Sequence, residues 1–182
     1  MEGGRVKGTA VLQAVKTLRS MGELARQHVP PSLQSYLVDR IIVSSWYPER
    51  DFIGLIGVVT SLMPVTDGSD VWELCGRLAA THDLGNVYKG MVRGETLMRT
   101  VKVATDLWKL YYDVGRHVLS GDDTRVLIDS YDYAAPAGYC RFVSGYLREH
   151  LRLSTGKSYQ VRDTLCTAKG DDHCRREVTE TT

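Results

Sequence analysis

Apolar residues recur every three or four positions from Thr9 to Tyr112 and every second position just after it, and this change of period limits what the chain can fold into. The first helical stretch carries Val11, Leu12, Val15 and Leu18 and ends at Gly22. Pro30-Pro31-Ser32 breaks the chain and offers Ser32 as the cap of a short second helix with Leu33, Tyr36 and Leu37. Ile41-Ile42-Val43 leads to Trp46-Tyr47-Pro48, and Pro48 is placed to open a helix reading Phe52, Leu55, Ile56, Val59 and Met63. Ser69-Asp70 caps a fourth helix bearing Leu74, Cys75, Leu78, Ala79 and His82, with its end at Gly90 or Gly94. A fifth carries Val101, Ala104, Trp108 and Tyr111.

Beyond Tyr112, Val114 to Ser120 alternates, Gly121-Asp122-Asp123 turns the chain, and Arg125 to Asp129 completes a hairpin. Pro136 opens a late helix whose apolar face is Tyr139, Phe142, Val143, Tyr146, Leu147 and Leu151. A second hairpin runs from Ser158 to Thr167, turns at Lys169-Gly170-Asp171-Asp172 and returns from Cys174 to Val178. Strands that enter late and are joined by hairpins form an antiparallel sheet with helices segregated beside it. The expected fold class is therefore α+β, with N-terminal helices packed on a C-terminal antiparallel sheet and one late helix between two hairpins. One domain over residues 7–180 is expected, since a chain of 182 residues buries enough surface to fold without a metal or disulfide.

Charge and composition exclude several functions. Lys and Arg number 23 against 22 for Asp and Glu, so no net field draws the molecule onto nucleic acid or anionic lipid. The apolar run from Phe52 to Val59 falls far short of the ~20 residues a membrane span needs. The N-terminal residues Met1 to Lys7 lack the pattern of a secretory signal, which makes the cytoplasm the expected location. There is no nucleophile elbow, paired-histidine triad or phosphate loop, so binding is expected rather than catalysis. His82 lies on an apolar helix face and reads as structural. Trp108, Tyr112, Tyr139, Phe142, Val143 and Tyr146 are the candidate walls of an apolar ligand pocket.

Three of the four cysteines, Cys140, Cys166 and Cys174, fall in the last 45 residues. The last hairpin brings Cys166 and Cys174 to one end of the sheet, and Cys140 sits on the late helix. Such a set suits either tetrahedral zinc, with Asp163 or His173 as fourth ligand, or three small buried hydrophobes. On an extended strand Asp163 and Cys166 point to opposite faces, so Asp163 joins only if a bulge or strand end intervenes.

The stretch Gly138-Tyr139-Cys140-Arg141-Phe142, continued by Val161 to Arg175 with its Cys, Gly-Asp turn and second Cys, resembles the 4-vinyl reductase domain family. That family shares its ligand-binding fold with nitric-oxide-signalling and Golgi-transport proteins. The whole chain also resembles an uncharacterised myxobacterial family. The resemblance implies a helical layer on a twisted antiparallel sheet, a regulatory module for an apolar or acyl ligand, a protein partner and a homodimer. The alternative it implies is a ligand-free interaction scaffold like subunits of the Golgi tethering complex. It also implies a structural zinc held by Cys140, Asp163, Cys166 and Cys174, with Asp where the family usually has Glu.

Overall fold

The computed structural model describes residues 3–64, 68–85, 90, 96–133 and 136–181. Two compact units divide the chain: Met1–Thr66 with Lys109–Val114, and Asp67–Trp108 with Gly115–Thr182.

In the first unit, β1 (Arg5–Lys7) feeds α1 (Gly8–Ser20), followed by α2 (Glu23–His28), a 3-10 turn (Pro31–Leu33) and α3 (Ser35–Val38). Strand β2 (Trp46–Pro48) then leads into α4 (Glu49–Leu62). Helix α1 buries Val11, Ala14, Val15 and Leu18, and α4 buries Phe52, Leu55, Ile56 and Val59, as their apolar periods require. Pro48 precedes α4 as its cap residue. Ser32, expected as a helix cap, instead lies inside the 3-10 turn and makes no capping bond. The expectation that strands enter only late is also corrected. β1 and β2 pair antiparallel, with Val6 opposite Tyr47 and Lys7 opposite Trp46, and Val6 bridges to Tyr112. At three residues each, they are too short to display a period of two.

The second unit holds α5 (Val71–Gly85), α6 (Leu97–Tyr111, whose last residues belong to the first unit), β3 (Arg116–Gly121), β4 (Arg125–Tyr131), α7 (Ala137–Thr155), β5 (Tyr159–Leu165) and β6 (Cys174–Glu180). Asp70 caps α5 by accepting the Glu73 N–H at 3.1 Å. The alternative end of this helix at Gly94 lies outside the described residues. The strand order is β3-β4-β6-β5, antiparallel throughout. Asp122 holds the first turn by accepting the Thr124 and Arg125 N–H groups at 2.8 and 3.1 Å. Gly156 stops α7 in the left-handed region at φ 74°. One core cluster joins Leu97 and Val101 of α6, Leu147 and Leu151 of α7, and Val126, Ile128, Val161 and Val178 of the sheet. Another joins Ala80 and Leu84 of α5 to Leu107, Tyr146 and Leu153. Helix α7 thus packs against the sheet on one side and α5 on another. The α+β class with helices beside an antiparallel sheet is what the structure shows.

Candidate functional site

Helix α7 positions nearly every chemically distinctive side chain of the second unit. Its first turn places Tyr139, buried completely, so that its ring stacks on Phe142 at 5.3 Å and 11°. Tyr133 lies 6.3 Å from Tyr139 and meets Trp108 of α6 edge to face at 5.0 Å. Trp108 in turn meets the His117 ring edge-on at 5.0 Å, and His117 Nδ1 pairs with Ser130 Oγ at 2.9 Å. These contacts make one continuous row of rings from β3 to α7. Of the expected pocket residues, Trp108, Tyr139 and Phe142 belong to this row. Val143 and Tyr146 are half-buried on the same helix, and the Tyr146 hydroxyl reaches Asp83 at 3.4 Å. Tyr112 belongs to the first unit. Tyr133, missed by the sequence reading, is the ring that connects Trp108 to Tyr139.

On its sheet side α7 carries a buried polar network. The Ser144 hydroxyl donates to Asp163 at 2.7 Å, and Arg176, only 4% exposed, donates to Ser144 at 3.0 Å and pairs with Asp163 at 3.2 Å. Arg176 also reaches the Cys140 carbonyl at 3.4 Å. A buried guanidinium is tolerable only with such partners.

The three cysteines come together as the hairpin geometry implies. Cys140 Sγ lies 3.5 Å from Cys166 Sγ and 3.9 Å from Cys174 Sγ, and all three are buried. Thr167 approaches the Cys174 sulfur with its N–H and its hydroxyl, both at 3.4 Å. The Cys140 thiol and these two donors lower the Cys174 pKa, whereas Cys140 is raised by giving its proton to Cys174 and by burial. The β5–β6 pairing shifts register between Asp163 and Leu165, which is the irregularity Asp163 would need to face the same side as Cys166. Even so, Asp163 Oδ1 takes up Ser144 and Arg176 while its buried Oδ2 has no hydrogen-bond partner, and the carboxylate lies outside the group that the three sulfurs form. His173 is held between Asp129 at 3.1 Å and Asp172 at 2.6 Å, away from the thiol cluster's contacts.

His150 was not singled out from sequence, although it falls three residues after Leu147 on the apolar stripe of α7. It is fully buried, neither ring nitrogen has a hydrogen-bond partner, and burial pushes its pKa down to about 4. The Ser154 hydroxyl, one turn further, is likewise buried and unpaired.

An α+β chain whose second unit sets helices beside an antiparallel sheet, with a row of packed aromatic rings between β3 and α7, is the class these elements define. No family profile and no curated protein matches it. Its fold matches solved H-NOX proteins over nearly their whole length. An H-NOX protein from S. oneidensis in the Fe(II)NO ligation state aligns with a TM-score of 0.60 at 16% identity, covering 97% of this chain and 99% of that one. The Fe(II) unliganded H-NOX protein from K. algicida gives 0.67 at 10% identity, with 97% of each chain covered. An oxygen-binding H-NOX domain related to soluble guanylate cyclases gives 0.58 at 17% identity, covering 97% and 95%. What the chain shares with these proteins is the fold. The expected structural zinc is corrected by these matches. The structures that share the fold are described by iron ligation, and the Asp163 carboxylate expected as fourth ligand does not join the group formed by the three cysteine sulfurs.

Proposed function

We propose that residues 7–180 act as one sensor module that binds an apolar small molecule without haem and signals by contacting another protein. The observation that carries this reading is the aromatic row on α6, β3 and α7 in a chain whose fold is that of proteins described as binding nitric oxide or oxygen. Trp108, Val143 and Tyr146 keep partial exposure and offer the contact surface, with Tyr139 and Phe142 as its back wall. The 4-vinyl reductase resemblance of the C-terminal third points to the same kind of ligand.

The five histidines are not placed to ligate a haem iron. That iron needs an axial histidine, thiolate, thioether or phenolate beside a slot for the porphyrin. Helix α6 carries no histidine. His28 is exposed in the first unit, His173 has both nitrogens on carboxylates, and His82 is 40% exposed beside Asp83. His117 is boxed by Ser130 and Trp108. His150 has no exposed surface, so not even a water-sized space adjoins its ring.

Two measurements test the reading. Native mass spectrometry of purified protein is expected to show a co-purifying organic mass. An apolar fluorescent probe is expected to bind with roughly tenfold lower affinity in Trp108→Ala, the worth of one aromatic contact. Added hemin is expected to give no stoichiometric Soret band. Ligand-free protein that also ignores the probe would replace this reading with the interaction scaffold, which the complete burial of Tyr139 favours. The partner contact is proposed to include a second copy of the chain, so light scattering at micromolar concentration is expected to show a dimer. No helix among the described residues is long and apolar enough to cross a membrane.

A further inference from the structure

The four-stranded sheet packs one face against α6 and α7, through Val126, Ile128, Val161 and Val178. The pleat turns the alternate residues of each strand to the opposite, open face, and the register sets Arg116, Arg125, Arg162 and Arg175 there. The four strands contain five arginines and no lysine. The fifth, Arg176, is the buried partner of Ser144 and Asp163 on the covered face. On the open face the carboxylates lie beneath the guanidinium groups. Arg125 pairs with Glu177 at 2.5 Å with side-chain exposures of 60% and 21%, and Arg175 pairs with Asp129 at 2.6 Å with 36% and 10%. Arg116 is exposed, lies over the Tyr131 ring at 4.6 Å and meets Asp132, just beyond β4, only at 3.9 Å. Arg162 is exposed and has no ion pair among the described residues, since Glu177, opposite it in register, is taken by Arg125. The strands thus present four cations over two anions, with exposed Val118 and half-buried Leu127 on the same face.

Protein contacts are enriched in arginine and tyrosine and depleted in lysine, and a guanidinium fork grips a carboxylate through two hydrogen bonds. Two other occupants fit less well. Arg116 and His173, the latter stacked at 4.7 Å, cover the Tyr131 ring, so it is not offered to a nucleic-acid base. A second copy meeting the same face about a two-fold axis would set arginine against arginine. We propose that the open face of this sheet is the docking surface for an acidic polypeptide segment of a partner protein, a proposal that rests on the reading that the chain signals by contacting another protein. Carboxylates of the segment pair with Arg162 and Arg116, where no close ion pair has to break, and its apolar side chains cover Val118 and Leu127. Strand β3 also links this face to the aromatic row. It carries Arg116 and Val118 on the open side and His117, the end of the row, on the covered side. A ligand that displaces His117 therefore acts on the strand that the partner grips.

The test follows the fluorescence anisotropy of a labelled peptide alternating Glu and Leu as the full chain is added. The same peptide with Gln for Glu and an oligothymidylate of equal charge are measured beside it. The Glu peptide is expected to bind, more weakly as salt rises, and each of the other two to bind about tenfold more weakly or worse. Arg116→Glu combined with Arg162→Glu breaks no ion pair shorter than 3.9 Å and is expected to weaken the Glu peptide by about tenfold or more. Arg26→Glu, on α2 of the first unit, is expected to leave it unchanged. Thermal melting and the affinity for the apolar probe report whether the double variant is folded. If it is not, Arg162→Gln replaces it, with a smaller loss in the same direction. Absence of binding by the Glu peptide, equal binding of the Gln peptide or of oligothymidylate, or an arginine variant that binds as wild type overturns the proposal. A wild-type chain that takes up the apolar probe and ignores the Glu peptide places the failure in this docking face and leaves ligand sensing standing.

Discussion

Gly145→Ala is expected to destabilise the protein by about 3 kcal/mol, and Gly76→Ala by a similar amount, each lowering the melting temperature by roughly 6–12 °C. A methyl group at Gly145 would sit 2.1 Å from the Glu73 carbonyl oxygen, and one at Gly76 would sit 1.9 Å from the Phe142 carbonyl oxygen and 2.8 Å from the Tyr146 nitrogen. These obstacles are backbone atoms, which cannot rotate away as a side chain can. Helices α5 and α7 therefore touch main chain to main chain, each supplying a glycine where the other's backbone passes. Alanine has the higher helix propensity, by about 1 kcal/mol, so propensity and packing oppose each other here. Packing wins because relief requires the two helices to separate, loosening Ala80, Leu84, Tyr146 and Leu153 together. Gly85→Ala at the end of α5 is the control, since no atom lies within 4 Å of its added methyl. It is expected to be neutral or slightly stabilising. Thermal unfolding of the three variants checks this, and a Gly145→Ala protein melting within a degree or two of wild type would disprove the close crossing.

The glycine contact shows where sequence reasoning stops. The apolar periods of α1, α4 and α7 are local, and their boundaries can be read because Pro48, Pro136 and Gly156 punctuate them. The turns at Asp122 and Gly170 are equally local. Which two helices cross at Gly76 and Gly145 is not, since it depends on residues about seventy positions apart. The same holds for β1 and β2, whose three-residue partners are separated by some forty positions and carry no alternation long enough to register. The candidate site divides in the same way. A hairpin between Cys166 and Cys174 could be foreseen, and with it their approach to Cys140. That Asp163 would be engaged by Arg176 could not, because Arg176 becomes a buried cation only once β6 faces α7. The aromatic row was legible in its α6 and α7 members, whereas Tyr133 sits beyond the end of β4, where no period marks it.

Acidification is expected to remove about 3 kcal/mol of stability through His150 alone, most of it before any carboxylate of ordinary pKa titrates. Burial lowers this imidazole from 6.5 to about 4 in the folded protein. Above pH 6.5 the ring is neutral in both states and contributes nothing to pH dependence. Between pH 6.5 and 4 the unfolded chain binds a proton that the folded chain refuses, so the unfolded state gains and stability falls as pH falls. Below about pH 4 both states are protonated and the loss is complete. At pH 5 roughly 2 kcal/mol is already gone. Glu149 and Asp129 are held down chiefly by hydrogen bonds from Arg152 and Arg175, and they lose their stabilising contribution only in the carboxylate range, further into acid. The window from pH 6.5 to 5 therefore isolates histidine. In His150→Phe the change in unfolding free energy between pH 7.5 and 5 is expected to be smaller than in wild type by about 2 kcal/mol, as denaturant titration would show. At pH 7.5 the same variant removes two unsatisfied buried nitrogens, a gain of about 1–3 kcal/mol set against the strain of a larger ring in a sealed site. The slope, unlike the absolute stability, is insensitive to that strain. Equal slopes for the two proteins would mean that the imidazole is protonated or solvated in the folded state, and that α7 is not sealed against the core at His150.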